Sequence, residues 1–309
     1  MDASKPTVFV CGATGAQGGA LCRQLRGLDW GVHAITRNLE SPEAKALTTI
    51  GVKLAPGDYD NTDALKAGLA GCDKLFLCLY PVPEDPPHEQ RQSEAIVSIA
   101  KDAGIAQIIL STSLGVSLYG EDDRLVPGTL LHRVIQAKYG AEKAVIGAGL
   151  DSWTILRPGF FMSNFTEPSI NMYSDILKDH RWINVLRPDT SLGLIDPADI
   201  AAYAVAAFRD PVQLHARIVG LGSEFLTPQQ TMNRLSRAMN IQGIKAVCLS
   251  DDQISTEDQS NALYIMTKGE KSMRYSGPEY IDLEAISQVI RRTTFEEFLV
   301  REKDKVKRF

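Results

Sequence analysis

A short apolar segment near the start of the chain runs directly into three glycines spaced three residues apart. Residues 8–11 are apolar, Gly12, Gly15 and Gly18 follow, and a segment with helical spacing comes next. In a strand–turn–helix unit, the glycines permit a tight turn, close approach to a diphosphate and close helix packing. The free N–H groups at the start of the helix favour phosphate binding. The pattern predicts a dinucleotide site formed by Gly12, Ala13, Thr14, Gly15, Ala16, Gln17 and Gly18.

The first half of the chain alternates strand-like segments with helix-like segments, an order typical of a parallel sheet covered by helices on both faces. The predicted strands are Thr7–Cys11, Val32–Thr36, Val52–Pro56, Lys74–Leu79, Gln107–Ser111 and Trp153–Arg157. The predicted helices are Gly15–Arg26, Pro42–Ile50, Asp63–Ala70, Glu89–Ala103 and Leu131–Ala148. We predict an α/β fold, a Rossmann-type doubly wound parallel sheet with a smaller C-terminal region.

The second half of the chain is less regular. Its patterns predict a helix over Ile195–Arg209, a strand over Ala216–Leu221 and a helix over Pro228–Met239. In the first half, Tyr80–His88 contains four prolines, and the missing N–H of proline predicts a loop there.

These patterns suggest how the chain divides into domains. Residues 1–159 are expected to form the nucleotide-binding domain, with residues 194–222 returning to it. Residues 160–193 and 223–309 are expected to form a C-terminal substrate or cap region.

Composition argues against several classes of function. The 309-residue chain has a net charge of −5, so its charge gives no indication of nucleic-acid binding. No stretch of ~18 apolar residues could span a bilayer, and no secretory signal is recognised. The five cysteines have no metal-type spacing, and their odd number fits a reducing compartment. We expect a cytoplasmic protein with no metal site, no nucleic-acid partner and no membrane contact.

The residues after the second predicted strand bear on which nicotinamide nucleotide is bound. NAD binders usually carry a carboxylate here for the ribose 2′-hydroxyl, whereas this chain has Arg37 followed by Asn38. A planar guanidinium can pair with a 2′-phosphate through two hydrogen bonds. We expect Arg37 to favour NADP(H) over NAD(H); the alternative is a surface arginine with no ligand.

Several motifs taken together resemble one protein family. They are Gly-Ala-Thr-Gly-Ala-Gln-Gly-Gly at residues 12–19, Thr36-Arg37-Asn38, Gly57-Asp58, Arg-Pro-Gly-Phe-Phe-Met-Ser-Asn-Phe at residues 157–165 and Asp-Pro-Ala-Asp-Ile at residues 196–200. Over about residues 6–210 the chain is similar to the NmrA-like family of atypical short-chain dehydrogenase/reductases. The resemblance implies a Rossmann fold that binds NADP(H) as its cofactor.

The resemblance also implies which residues contact the cofactor. Asp58 and Tyr59, after the third strand, are expected beside the adenine. Leu79 and Tyr80, after the fourth strand, are expected along the nicotinamide ribose. The nicotinamide end is expected to be lined by Pro158, Gly159, Phe160 and Phe161.

The catalytic residues are less clearly defined. The family's lysine corresponds to Lys138, but Val134 occupies the position four residues earlier where reductases of this broad class carry a proton-donating tyrosine. A Tyr-x-x-x-Lys pair occurs one residue along, at Tyr139 and Lys143, and one residue of helix rotates a side chain by ~100°. We expect Lys138 to face the cofactor. The stretch from Lys138 to Arg157 is one residue longer than the family pattern, so Tyr139 stays the alternative.

Four residues are candidates for contacting a substrate. Ser113 follows the fifth strand, at the edge of the sheet where ligands bind, although a plain turn serine is the alternative. His132 could act as a general acid or be a surface histidine. Asn164 and Phe165 follow the sixth strand in an aromatic segment that indicates either an apolar pocket or core.

Three functions fit these residues. The first is an NADPH-dependent oxidoreductase acting on a hydrophobic carbonyl, quinone or imine-type substrate. The second is a non-catalytic NADP(H)-sensing regulator that docks a protein partner. The missing tyrosine favours this second function. The third is a reductase scaffold reused in secondary-metabolite biosynthesis for a non-redox cyclisation, with structural NADP. The predicted apolar pocket favours the first, an enzyme with a hydrophobic small-molecule substrate.

Overall fold

A computed structural model of the chain describes residues 5–120, 123, 125–255 and 270–306. The chain divides into two compact units, each with its own hydrophobic core. The first unit lies within residues 1–113, 133–157 and 200–219. The second lies within residues 114–132, 158–199 and 220–309. The division predicted from the sequence differs mainly at residues 114–132 and 194–199, which belong to the second unit.

The central sheet has seven strands. They are β1 (Thr7–Val10), β2 (Gly31–Thr36), β3 (Lys53–Pro56), β4 (Lys74–Cys78), β5 (Gln107–Ser111), β6 (Ser152–Pro158) and, further along the chain, β10 (Arg217–Leu221). Their order is β10-β6-β5-β4-β1-β2-β3, and the pairs from β6 through to β3 are parallel. The predicted doubly wound parallel sheet is confirmed.

Helices cover this sheet, which explains why its inner strands β1, β4 and β5 are mostly apolar. They are α1 (Ala16–Gly27), α2 (Pro42–Thr49), α3 (Thr62–Leu69), α4 (Pro87–Asp102), α5 (Leu130–Ile146) and α7 (Pro197–Arg209). The strand order reverses between the neighbours β1 and β4, and Val10 pairs with Phe76 there. In open α/β sheets, ligands bind at such a switch point, beyond the carboxyl ends of the strands.

Local sequence signals explain where three of these helices begin. The Ser41 hydroxyl accepts a hydrogen bond from the N–H of Ala44 at the start of α2, and the Asn61 side chain caps α3 in the same way. The helix α4 begins at Pro87, two residues before the predicted start. Proline is tolerated in the first turn because the N–H groups there have no intrahelical partner. The predicted loop is therefore wrong at its last two residues.

The second unit contains short elements, most of which the sequence patterns did not predict. Its strands are β7 (Phe160–Phe161), β8 (Arg181–Asn184), β9 (Leu192–Ile195), β11 (Glu224–Leu226) and β12 (Lys245–Cys248). Its helices are α6 (Ser174–Asp179), α8 (Pro228–Met239), α9 (Asp251–Ser255), α10 (Leu283–Val289) and α11 (Phe295–Arg301). The strands form a β11-β9-β7 sheet and a parallel β12–β8 pair.

One predicted helix of the second half begins later than expected. Helix α7 starts at Pro197, because the residues before it form β9. Asp196 occupies the turn between them, and its carboxylate accepts a hydrogen bond from the N–H of Ala198. The prediction that Ile195 is helical is therefore wrong, whereas the predicted helix Pro228–Met239 is confirmed as α8.

Candidate active site

The glycine turn between β1 and α1 has a geometry that requires glycine at two positions. Gly12 adopts a φ of +64°, in the left-handed region that residues with a Cβ avoid. The N–H of Gly15 then donates to the carbonyl of Gly12 at 2.9 Å, which closes the turn. A Cβ on Gly18 would overlap the carbonyl oxygen of Gly12. The turn is therefore a close-packed backbone cradle with no room for a side chain at Gly18.

Helix α1 begins within this turn, and no side chain caps its first residues. Gly15 is its N-cap residue, whereas the side chains of Ser41 and Asn61 cap the next two helices. The first-turn N–H groups of a helix have no intrahelical partner, and together with the helix dipole they attract anions. Residues 14–16 are exposed. The residues present therefore fit the diphosphate of a dinucleotide.

Tyr59 is hydrogen-bonded to the glycine turn. Its hydroxyl oxygen accepts a hydrogen bond from the backbone N–H of Gly12 at 2.5 Å, and its ring packs against the core of the first unit. Burial raises the pKa of the Tyr59 hydroxyl above its ordinary value. Asp58 is exposed, and its carboxylate accepts a hydrogen bond from the N–H of Asp60. Of this predicted adenine pair, Tyr59 also has a structural role at the turn.

Arg37 and Asn38 follow β2 and are exposed. The side-chain oxygen of Asn38 accepts a hydrogen bond from the N–H of Glu40, which shapes the turn. Within the described part of the chain, the Arg37 guanidinium has no ion pair or hydrogen bond. Arg37 is thus free to pair with an anionic group of a ligand.

A chain of polar side chains crosses the carboxyl ends of β5, β1 and β4. The Ser111 hydroxyl donates to Gln17 Oε1 at 2.8 Å, and Gln17 Nε2 donates to Cys78 Sγ at 2.7 Å. Burial raises the pKa of the Cys78 thiol to about 12, while the nearby Lys138 ammonium lowers it to a smaller extent. Cys78 therefore stays a neutral thiol near pH 7 and is not a reactive thiolate.

Lys138 lies next to these polar side chains and forms an ion pair with a carboxylate. Its Nζ donates to Glu89 Oε1 at 2.7 Å, and the two side chains are only 9% and 3% exposed. Lys143, by contrast, is exposed, and Tyr139 is partly exposed. These positions favour the expectation that Lys138, rather than the Tyr139–Lys143 pair, faces the interior of the site.

The other predicted residues of the first unit differ in exposure. Leu79 is buried in the core of this unit, whereas Tyr80 is 83% exposed. Ser113 is partly exposed at the end of the segment that follows β5. Glu142, one turn after Lys138, is buried and receives hydrogen bonds from Arg157 and Thr112. Leu79 is placed for packing, while Tyr80 and Ser113 are accessible to a ligand.

The predicted residues that follow β6 belong to the second unit. Pro158, Gly159 and Phe160 are buried, and Phe161 and Asn164 are partly exposed. Phe165 is fully buried, with its ring centroid 5.2 Å from that of Trp182. The ring of Phe165 is enclosed by the aromatic core, which favours the core alternative for this residue. Phe160 is enclosed by the same core.

His132 also belongs to the second unit. Its ring is partly buried, 5.6 Å between centroids from the ring of Tyr119. Its Nδ1 is buried and has no hydrogen-bond partner among the residues that the structure describes. The Nδ1 atom of His132 is therefore enclosed, although the residue as a whole is only partly buried.

Sequence reasoning missed Glu89, Cys78 and Ser111. A signal for Glu89 was present: it starts a stripe of buried positions on α4 that continues through Ser93 and Ile96. A carboxylate rarely lies at the beginning of a stripe of inward-facing residues, because charged residues are rarely buried unless paired. Its partner could not be identified, since the contact joins two helices far apart in sequence.

Residues 4–299 match the family model described as the NmrA-like family. The chain belongs to the NmrA-like family. The match extends well past residue 210, where the recognisable motifs end, and so includes most of the second unit.

Two curated relatives of this NmrA-like protein are reductases by name. An NAD(P)H azoreductase from Xenophilus azovorans is 27% identical over 231 residues, covering 75% of this chain and 73% of that protein. A (4-alkanoyl-5-oxo-2,5-dihydrofuran-3-yl)methyl phosphate reductase from Streptomyces griseus is 27% identical over 233 residues, covering 75% and 73%. The solved structure of NmrA, a negative transcriptional regulator in complex with NAD, superposes with a TM-score of 0.77 at 22% identity over 97% of both chains. That likeness supports the fold.

Two features of the NmrA-like chain bear on the expectations from composition. Among the described residues, no three or more His, Cys, Asp or Glu side chains are grouped so that they could hold a metal ion. None of the described helices combines the length and the apolar character needed to cross a bilayer.

Proposed function

We propose that this NmrA-like protein is an NADPH-dependent oxidoreductase that reduces a hydrophobic carbonyl, quinone, imine or azo substrate. The observation that carries the proposal is the uncapped start of α1 above the Gly12–Gly18 cradle, in the same unit as the buried Lys138 ammonium. The relatives named NAD(P)H azoreductase and (4-alkanoyl-5-oxo-2,5-dihydrofuran-3-yl)methyl phosphate reductase support a redox activity.

The residues of the first unit have separate tasks in this proposal. The cradle and the first turn of α1 hold the diphosphate, and the free Arg37 guanidinium binds the 2′-phosphate. The nicotinamide, when bound, supplies the hydride. Lys138 stabilises the negative charge that forms on the substrate and holds a proton at Nζ for it. Hydride delivery depends mainly on placement, so a chain with Val134 in place of the tyrosine is compatible with turnover.

The first experiment measures binding. Calorimetric titration with NADPH is expected to show one site in the wild-type protein. In Gly18→Ala the new Cβ overlaps the Gly12 backbone, so binding is expected to be lost. Gly27→Ala is the matched control, because a Cβ at this residue of the same helix has no heavy atom within 4 Å. Equal binding by both variants would contradict the cradle as the diphosphate site.

The second experiment measures turnover. NADPH absorbance at 340 nm is followed with a panel of quinones, aldehydes, imines and azo dyes, and substrate-dependent oxidation is the expected result. Tight NADPH binding without oxidation of any acceptor would contradict an oxidoreductase.

That outcome would favour the second candidate function, an NADP(H)-sensing regulator with a protein partner. The specific observation that favours it is Val134, which cannot transfer a proton at the position where a catalytic tyrosine is expected. Pull-down from extract of the source cell, with and without NADP, would then identify a nucleotide-dependent partner. Product formation from a biosynthetic precursor without any change in NADPH would instead favour the third function, non-redox cyclisation.

A further inference from the structure

Among the described residues, the buried carboxylates of Glu142 and Asp199 are fully hydrogen-bonded. Glu142 accepts hydrogen bonds from Arg157 Nε at 2.9 Å, Arg157 Nη2 at 2.6 Å and the Thr112 hydroxyl at 2.8 Å. Asp199 is bonded by Ser223 and by both the N–H and the hydroxyl of Thr293. In both residues each oxygen has a partner, as expected of carboxylates that hold a fold together.

Glu89 is different, because only one of its oxygens is satisfied. Oε1 accepts the hydrogen bond from Lys138, while Oε2 is buried and has no partner among the described residues. One helical turn along the same face of α4, the Ser93 hydroxyl is also buried, and the described part of the chain gives it no hydrogen-bond partner. A half-satisfied buried carboxylate is costly, and an apolar pair would serve packing at least as well. This cost points to a role beyond packing.

Lys138 is also incompletely satisfied. An ammonium group has three N–H donors, and the described residues provide one acceptor, Glu89 Oε1. The pair lies close enough to Cys78 for both charges to act on its thiol. Cys78 ends β4, the strand beside the glycine turn at the switch point of the sheet. Two donors of a buried cation are therefore available where the sheet is expected to present its ligand.

We propose that Glu89 is a positioning residue of the active site. Its carboxylate fixes the Lys138 ammonium at the carboxyl end of β4, so that the two remaining N–H donors are presented to hydroxyl or carbonyl oxygens of the bound ligands. A flexible lysine side chain loses much rotamer freedom when it is fixed, and the ion pair does this before the ligand arrives. The proposal rests on the proposed function, because the oxygens that accept hydrogen bonds from Lys138 belong to the nicotinamide nucleotide and the substrate.

The first test observes the ammonium directly. In protein labelled with ¹⁵N-lysine, a buried and ion-paired Lys138 is expected to give a slowly exchanging NH₃⁺ signal, identified by its loss in Lys138→Gln. Glu89→Gln removes the negative charge with little change of shape, and the signal is expected to disappear. Glu94→Gln is the matched control, because Glu94 is an exposed carboxylate on the same helix; its spectrum is expected to keep the signal.

The second test separates positioning from packing. A positioned proton-transfer group contributes roughly 10²- to 10⁴-fold, so Glu89→Gln is expected to lower kcat at least about tenfold. KM for NADPH is expected to rise by a smaller factor, because Lys138 also contacts the nucleotide in this proposal. Glu89→Asp, which keeps the charge, is expected to recover part of kcat. Should Glu89→Gln fold poorly, the double variant Glu89→Gln/Lys138→Gln removes both charges; it is expected to regain the thermal midpoint and to stay slow.

Each outcome decides the proposal. A folded Glu89→Gln protein with wild-type kcat and an unchanged ammonium signal overturns the positioning role, while NADPH oxidation by the wild type leaves the proposed function standing. If the wild type binds NADPH without turnover, the proposal requires weaker NADPH binding in Glu89→Gln than in Glu94→Gln, and equal binding overturns it. A wild-type protein that binds no nicotinamide nucleotide overturns the proposed function and this inference together.

Discussion

The hydroxyl oxygen of Tyr59 accepts a hydrogen bond from the backbone N–H of Gly12 at 2.5 Å. The bond joins the segment after β3 to the first glycine of the turn between β1 and α1, 47 residues away along the chain. Gly12 has a φ of +64°, a conformation that neither strand nor helix continues, so its N–H depends on this partner. A residue expected beside the adenine thus also supports the turn that is expected to bind the diphosphate.

Tyr59→Phe is therefore expected to affect stability and nucleotide binding together. The variant leaves the partly buried N–H of Gly12 without a partner, which costs roughly 1–3 kcal/mol. Urea unfolding measures this loss, and calorimetry should show weaker NADPH binding because the turn is less well ordered. A variant that loses stability but binds NADPH as tightly as the wild type would contradict the link between the Tyr59 hydrogen bond and the diphosphate site.

Arg37→Ala is expected to reduce discrimination between the two nicotinamide nucleotides. Hydrogen bonds to charged groups are worth roughly 1.5–3 kcal/mol, so NADPH affinity should fall about 10- to 150-fold. NADH affinity should change little, since NADH lacks the 2′-phosphate. Arg209→Ala removes an exposed arginine at the end of α7 and serves as the control. Equal losses for NADPH and NADH in Arg37→Ala would argue against 2′-phosphate recognition.

Lys143→Ala tests which lysine of α5 belongs to the site. Lys143 is exposed, whereas Lys138 is buried against Glu89. Exposed substitutions away from special features usually change free energies by less than about 0.5 kcal/mol, so kcat/KM should stay within about twofold of the wild type. The measurement uses whichever acceptor the wild type reduces. Loss of activity in Lys143→Ala would mean that the Tyr139–Lys143 pair is catalytic after all.

The features that sequence predicted best are those specified by neighbouring residues. The turn from Gly12 to Gly18 is local, because its backbone conformation and close contacts are set within a few residues. The inner strands β1, β4 and β5 are recognisable for a similar reason: both faces of the sheet are covered there, so the middle of each strand is an apolar run. The start of α4 at Pro87 was missed, since proline signals both a loop and the first turn of a helix.

What sequence did not predict depends on contacts between distant segments. The Glu89–Lys138 pair joins residues 49 positions apart. The strands of the second unit, such as β7 with two residues, are too short to show an alternating pattern. The aromatic residue Phe165 has the same composition signal whether it lines a pocket or fills a core, and only its neighbours Trp182 and Phe295 show that it fills the core.

Arg157→Gln is expected to be among the most destabilising changes in the first unit. Glu142 is 1% exposed and takes two hydrogen bonds from the Arg157 guanidinium. Removing one partner of a buried ion pair leaves the other charge uncompensated and costs roughly 3–5 kcal/mol. The double variant Glu142→Gln/Arg157→Gln should recover much of this loss in urea unfolding. Strictly additive losses in the two single variants would show that the pair is not coupled.

Burial raises the pKa of Glu270 from 4.5 to about 7, although its carboxyl accepts a hydrogen bond from the Tyr173 hydroxyl at 2.9 Å. Between these values the folded protein holds a proton that the unfolded chain lacks, so stability falls as pH rises through this window and then levels off. At ~1.4 kcal/mol per pKa unit, the loss is about 3 kcal/mol. Glu270→Gln should match the wild type near pH 4.5 and exceed its urea midpoint at pH 8. Equal midpoints at pH 8 would contradict the raised pKa.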